Sequence, residues 1–158
     1  MSTATATKST AGKGQGIGSE FLLLVQNEIE IHAPIATVFE SILEEIGPSF
    51  KTPDGSSLQL KLEAWPGGRW YRDLGNNTGH FWGHVQVIKP PKLLEIYGPM
   101  MMSYPAINHV QYRLTEEGKS TRLAFTHRGF GDFDPQHREG VSKGWAVIST
   151  RIKERSER

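Results

Sequence analysis

The stretch WPGGRWYRDLGNNTGHFWGHVQVIKPPKLL, from Trp65 to Leu94, decides the fold that this sequence predicts. Its Pro-Gly-Gly and Gly-Asn-Asn segments are typical of tight turns, because glycine and asparagine tolerate positive φ angles. The residues that separate and follow these turns, 69–74 and 78–89, are predicted to form two antiparallel strands. Alternation gives the longer strand an apolar face with Phe81, Val85 and Val87, and an opposite face with His80, Trp82, His84 and Gln86.

Three more strands are predicted after this stretch, at Leu93–Tyr97, Asn108–Thr115 and Thr121–Phe130. Turn residues separate each strand from the next. In the last strand, alternation places His127 on the same side as two apolar residues, Leu123 and Phe125. His127 is therefore expected to point into the interior of the domain.

A long helix is predicted to end the domain. Asp134 followed by Pro135 is typical of a helix start, because the carboxylate caps free N–H groups and proline fits the first helical position. Gly140 and Gly144 lower the intrinsic stability of this helix, so packing against the rest of the domain must hold it. Its apolar stripe runs to about Arg155 and contains Val141, Trp145, Ile148 and Ile152.

The chain before the central stretch predicts a strand, a helix and another strand. Residues 25–33 alternate as a half-buried strand, and Pro34 begins an amphipathic helix that ends at Ile46. Residues 58–64 again alternate between apolar and polar side chains, which predicts the second of these strands. Residues 1–20 consist mainly of Ser, Thr, Ala, Gly and Lys, so we predict a disordered tail, followed by a single domain over residues 21–158.

Short turns between successive strands favour antiparallel pairing. A sheet of this length with one apolar face must curl around the helices that cover it. The predicted fold class is therefore α+β: a curved antiparallel sheet of about six to seven strands around a long C-terminal helix, with a short helical layer after the first strand.

Composition excludes several classes of function. The chain has 18 basic and 17 acidic residues and a net charge of +1, so we expect no nucleic-acid partner. It has no cysteine, which excludes thiolate catalysis and cysteine-ligated metals. No stretch has the length of a membrane span or the apolar core of a signal peptide, so we expect no membrane association and a cytoplasmic location.

No cofactor or metal is expected. The glycine-rich segment GKGQGIG does not follow a strand, and its spacing differs from that of a dinucleotide-binding loop. His80 and His84 are four residues apart, which in a strand corresponds to about 13 Å, too far to share one ion. The sequence also has no nucleophile elbow and no assignable Ser/His/Asp set. We therefore predict no catalytic residue, and the hypothesis of an enzyme is less favoured than that of a protein without catalytic activity.

Five segments carry a resemblance to a known family: the strand and helix at 29–42, the PGGxW turn, the segment 83–93, the strand 121–130, and Gly144-Trp145. Their order and spacing over residues 25–155 resemble the activator-of-heat-shock-protein-90-ATPase homologues, within the helix-grip superfamily (START, polyketide cyclase and pollen allergen proteins, or SRPBCC). The resemblance implies a deep cavity between the curved sheet and the terminal helix.

Two of the residues expected to line that cavity have alternative roles. Arg72 either points inward, where it needs a carboxylate or an anionic ligand, or points outward with Tyr71 inward instead. His127 is either a core histidine hydrogen-bonded to a backbone carbonyl or a tyrosine, or a group that orients a ligand or transfers a proton. The full set of cavity candidates is Trp70, Arg72, Phe81, Val85, Met101, Tyr112, Phe125, His127 and Trp145.

Three functional hypotheses follow. The first is a binder of a small apolar or amphipathic molecule, with the methionines 100–102 as an adaptable lip of the cavity. The alternative is a protein-interaction module with a chaperone partner, acting through an outer sheet face that carries Trp65 and Trp82. The third is a cyclase-like enzyme that uses His127. We expect a monomer or a weak dimer.

Overall fold

The computed structural model describes residues 18–158, and the predicted disordered tail lies almost entirely outside them. Seven strands form one antiparallel sheet in the order β1-β7-β6-β5-β4-β3-β2. A single 3-10 turn at Ser19–Phe21 precedes the first strand. The elements then follow in the order β1 Leu22–Ile31, α1 Ile35–Ile46, β2 Lys61–Leu62, β3 Arg69–Gly75, β4 Thr78–Lys89, β5 Leu93–Gly98, β6 Ala106–Glu117, β7 Ser120–Gly131 and α2 Pro135–Ser156. The predicted α+β class, with a helical layer after the first strand and a long terminal helix, is confirmed.

Local interactions explain the two helices. The Asp134 carboxylate accepts hydrogen bonds from the backbone N–H groups of Gln136 and His137, as predicted for an N-cap. Near the other end of α2, Arg155 Nε donates to Glu45 Oε1 of α1 at 2.6 Å, and the Glu45 side chain is only 7% exposed. A largely buried ion pair of this kind holds the two helices in one relative position.

The predicted strand at 58–64 is wrong over most of its length. Only residues 61 and 62 pair with β3. Gln59 has a φ angle of 49°, which interrupts the extended backbone that a strand requires. Residues 47–60 instead form a loop that buries Phe50 and Leu60 against the core.

The predicted faces of β4 are wrong at four positions: His80, Phe81, Trp82 and Val87. Trp70 pairs with Gly83 and Tyr71 with Phe81, so Trp82 is an additional residue in a β-bulge. The bulge exchanges the two sides of the strand, with Trp82 inside at 3% exposure and Phe81 outside at 41%. A second register shift between Val85 and Val87 turns Val87 to the outer side, opposite Glu95, and lets Ile88 contact the core instead.

Large side chains fill the interior between the sheet and α2. Trp70, Tyr112, Phe125 and Trp145 are each at most 2% exposed. The rings of Phe125 and Trp145 lie 4.6 Å apart, within the range of favourable aromatic contact. The deep cavity that the resemblance implies is therefore largely occupied by the protein's own side chains, and open space remains at one end of α2.

Candidate ligand-binding groove

An apolar groove lies where the N-terminal half of α2 separates from the loop after α1. Its volume is about 320 Å³, at the lower end of the range for small-molecule sites. Three elements form its walls: residues 50–53 and 58 of the loop, residues 82 and 101 at the sheet, and one face of α2. The side chains and glycines involved are Phe50, Lys51, Thr52, Pro53, Leu58, Trp82, Met101, Gln136, His137, Gly140, Val141, Gly144, Trp145 and Ile148.

The α2 side of the groove is bare backbone at Gly140 and Gly144. Residues four positions apart lie on the same helix face, so the two glycines form one continuous strip. A Cβ atom added at either position would meet no atom within 4 Å apart from its own chain neighbours and the backbone of the helix. Close packing therefore does not require glycine at either position, and their absent side chains keep the groove open.

Trp82 forms part of the opposite wall. Its ring makes edge contacts with Phe50 at 5.4 Å and Trp70 at 5.0 Å between centroids, which fix its orientation. Its Nε1 is buried and has no hydrogen-bond partner among the described residues. An unpaired buried donor costs free energy, so this N–H group favours an acceptor.

Four polar side chains line the groove: Lys51, Thr52, Gln136 and His137. The Tyr104 hydroxyl and His137 Nδ1 are joined by a hydrogen bond of 2.6 Å. Burial raises the pKa of Tyr104, so its hydroxyl keeps its proton at neutral pH. The backbone of α2 begins at Pro135, next to Gln136 and His137.

His127 lies behind the groove, in a closed polar network. Its Nε2 is 2.7 Å from Asn108 Oδ1, and its Nδ1 accepts a hydrogen bond from Trp145 Nε1 at 2.9 Å. Since Nδ1 is an acceptor, the proton of the neutral ring is on Nε2. Burial, with a smaller contribution from the charge of His137, lowers the pKa of His127 from 6.5 to about 4. Both ring nitrogens are therefore engaged within the protein, and the ring is neutral at pH 7.

Two of the predicted cavity residues, Met101 and Trp145, line the groove. Alternation from Trp70 places Arg72 on the inner side of the sheet, half-buried beside His80 and outside the groove. Phe81 is on the outer face, so its predicted inward position is wrong. The remaining candidates are buried in the core behind the groove: Trp70, Val85, Tyr112, Phe125 and His127.

Most of the groove is not indicated by the sequence. Trp82 was predicted on the wrong face, and Phe50 and Leu58 come from a loop whose path the sequence does not indicate. The one signal of the groove in the sequence is the pair of glycines in α2, Gly140 and Gly144. Glycine inside a helix is costly, and a pair spaced for one face indicates a place where side chains are excluded.

The described residues contain no cluster of three or more His, Asp or Glu side chains that could hold a metal ion. Within residues 18–158, no helix combines the length and the apolar character that crossing a bilayer requires.

A curved antiparallel sheet that grips a long terminal helix, with an apolar groove where the two separate, defines a helix-grip protein. The chain matches the family described as "Activator of Hsp90 ATPase homolog 1-like protein" over residues 32–157, and it belongs to this family. The resemblance seen in the sequence is thereby confirmed. No curated protein sequence matches the chain.

Solved structures share the fold at low sequence identity. Protein MLL2253 from Mesorhizobium loti is 16% identical, with a TM-score of 0.64 over 84% of this chain and 95% of that one. The Aha1 dimer from Colwellia psychrerythraea is also 16% identical, with a TM-score of 0.58 over 85% and 96%. The di-domain ARO/CYC StfQ from the steffimycin biosynthetic pathway is 8% identical, with a TM-score of 0.60 over 87% and 50%. At these identities the likeness concerns the fold alone.

Proposed function

We propose that the protein binds a small apolar or amphipathic molecule in the groove beside α2. The observation that carries this proposal is the groove itself, about 320 Å³ with mostly apolar walls and a bare strip at Gly140 and Gly144. A site of this kind binds through the apolar area that it removes from water, while a few polar groups fix the orientation of the ligand. The polar side chains of Gln136 and His137 suit the hydrophilic end of an amphipathic molecule.

The residues of this site favour ligand binding without catalysis. A general acid or base must reach the substrate with a nitrogen or oxygen that is free to exchange a proton. His127, the candidate acid/base, has both ring nitrogens engaged by Asn108 and Trp145 and does not line the groove. We therefore rank cyclase-like catalysis below binding.

Gly144→Leu is expected to abolish binding while the fold persists. The leucine side chain would project into the open space that a ligand needs, and it is also a better helix former than glycine by about 1 kcal/mol. Titration with the apolar fluorescent probe N-phenyl-1-naphthylamine should show at least about a tenfold loss of affinity, with a melting temperature no lower than that of the wild type.

Ser142→Leu provides the matched control, because it adds the same side chain to an exposed position of α2 outside the groove. This variant should bind the probe like the wild type. Equal binding by wild type and Gly144→Leu would contradict the proposed site. Absence of probe binding in the wild type would contradict the proposed function.

A second candidate function is protein recognition by the outer sheet face. Leu22, Phe130 and Ile107 are cross-strand neighbours on β1, β7 and β6, and they form one exposed apolar row. Their exposures of 50%, 46% and 66% are high for side chains of this size. Because the family is described by its relation to the Hsp90 ATPase, the partner proposed for this row is the chaperone Hsp90.

Ile107→Glu is expected to remove any stimulation of the ATPase of purified Hsp90, because a charge in the row opposes apolar contact. Thr115→Glu is the control, since it adds the same charge to an exposed position on the same strand and face, away from the row. The measurement is ATP hydrolysis by Hsp90 with each variant in excess. A wild-type protein that leaves this rate unchanged would contradict the chaperone role.

A further inference from the structure

We infer that the groove selects a molecule with an apolar body and an anionic end, such as a carboxylate, and that the anion lies at the Lys51 end of the groove. This inference rests on the proposed function and specifies the charge and the orientation of its ligand. Three observations support it: the charge of the groove lining, the charge of the surface beside it, and the difference between the two ends of the groove.

The lining of the groove carries charge of one sign. Among the described residues that line it, Lys51 is the one with a formally charged side chain, and none is Asp or Glu. Lys51 is exposed and forms no ion pair with a carboxylate of residues 18–158. A lysine can cover an apolar wall with its methylene groups while its ammonium group stays in water at the mouth. The lining therefore favours a ligand whose charge is negative.

A second cation adds to the positive charge at this end. The guanidinium of Arg151 on α2 donates to the backbone carbonyls of Lys51 at 2.6 Å and Thr52 at 3.2 Å. Within residues 18–158, Arg151 has no carboxylate partner. A polar cleft adjoins the groove here, and its charged residues are Glu45, Lys51, Arg151, Glu154, Arg155 and Arg158. The basic residues outnumber the acidic ones, so the local potential attracts anions.

The loop that forms one wall of the groove has a single carboxylate, Asp54, which does not reverse this charge. Asp54 accepts hydrogen bonds from the Thr52 hydroxyl and from the N–H of Ser56. It lines neither the groove nor the adjoining cleft. With this negative charge counted, Lys51 and Arg151 still leave an excess of positive charge at this end.

The two ends of the groove offer different polar groups. Gln136 and His137 lie in the first turn of α2 and provide an amide and an imidazole. Lys51 is bonded through its carbonyl to Arg151, about one turn beyond Ile148. From His137 to Ile148 the helix rises about 16 Å, at about 1.5 Å per residue. Charge therefore sets the orientation of an amphipathic ligand, because the permanent cations lie at one end only.

The test compares three probes that share a naphthalene ring and differ in charge: 2-naphthylacetate, the neutral 2-naphthylacetamide and the cationic 2-(2-naphthyl)ethylamine. Each probe displaces N-phenyl-1-naphthylamine in a competition titration at low salt and neutral pH. The wild type should bind the acetate about two- to fivefold more tightly than the amide, the range for an exposed charge pair, and the amine least tightly. Lys51→Gln should lower the ratio of acetate to amide affinity towards one, and Lys51→Glu should bring it below one.

Lys119→Glu is the matched control for net charge. Lys119 is exposed in the turn between β6 and β7, outside both the groove and the cleft, so this variant should keep the wild-type ratio. A measurement on the wild type makes the test independent of the variants. At about 1 M NaCl, where the Debye length is about 3 Å, the ratio should approach one, because salt screens exposed charges.

Equal affinities of the wild type for the acetate and the amide at low salt would overturn the inference, and so would a preference for the acetate that Lys51→Glu retains. Continued binding of N-phenyl-1-naphthylamine in either case would leave the proposed binding function intact. Failure of every probe to bind, N-phenyl-1-naphthylamine included, would overturn both.

Discussion

Trp70→Ala is expected to lower the free energy of unfolding by about 3–5 kcal/mol, the largest effect of any single substitution considered for this protein. The Trp70 side chain is 0% exposed and contacts the ring of Trp82. Its Nε1 also donates to the carbonyl of Ile46 at the end of α1. Truncation would leave a cavity at the junction of the sheet and the helix, and it would leave that carbonyl without its donor.

The measurement is urea unfolding followed by circular dichroism at neutral pH. Trp65→Ala is the matched control, because Trp65 is 56% exposed and its truncation should change stability by no more than about 0.5 kcal/mol. Trp70→Phe should fall between the two, since it restores most of the apolar volume but not the hydrogen bond. A loss in Trp70→Ala no larger than that in Trp65→Ala would show that the indole does not anchor α1 to the sheet.

The second large effect is a loss of stability in mild acid caused by His127. Its pKa is about 4 in the folded protein and 6.5 in the unfolded chain. Between these values the unfolded chain binds a proton that the folded protein does not, so stability falls as the pH decreases from 6.5 to 4. The shift corresponds to a loss of about 3 kcal/mol in the free energy of unfolding. None of this loss occurs above pH 6.5, and all of it is present below pH 4.

The expected result is a stability profile that declines over this window in the wild type and is nearly flat in His127→Gln. His80→Gln is the control, because His80 is half-exposed and its replacement should leave the slope unchanged. Surface carboxylates with lowered pKa values, such as Glu63 and Glu117, also lose stabilisation in acid, but only below their ordinary value of 4.5. A decline between pH 6.5 and 5 that persists in His127→Gln would contradict the assignment.

The fold could be predicted from the sequence because its signals are local. The turn sequences around Gly67 and Asn76 define the hairpins of β3 and β4, and β4 begins and ends where alternation predicted. Asp134 and Pro135 likewise start α2 at the predicted position. Each of these signals acts through the backbone conformation of a few neighbouring residues, so it does not depend on distant contacts.

The candidate site could be predicted only in part. Met101 and Trp145 were expected near a ligand and do line the groove. His127 was correctly expected to point inward, but its partners, Asn108 and Trp145, come from β6 and α2 and are identified only by the three-dimensional arrangement. In the structure His127 is a core histidine whose partners are side chains, Asn108 and Trp145, in place of the expected backbone carbonyl or tyrosine.

The sequence by itself determined the order of the strands and helices, the turns between them and the α+β class, because these follow from periodicity and backbone preferences along the chain. Only the tertiary structure decided which tryptophan faces the groove. Strict alternation puts Trp82 outside, and one additional residue in the β4 bulge opposite Trp70 turns it inside. The stretch WPGGRWYRDLGNNTGHFWGHVQ contains no local signal for that bulge, because the position of the bulge is set by pairing between β4 and β3 and by packing around Trp70 and Phe50.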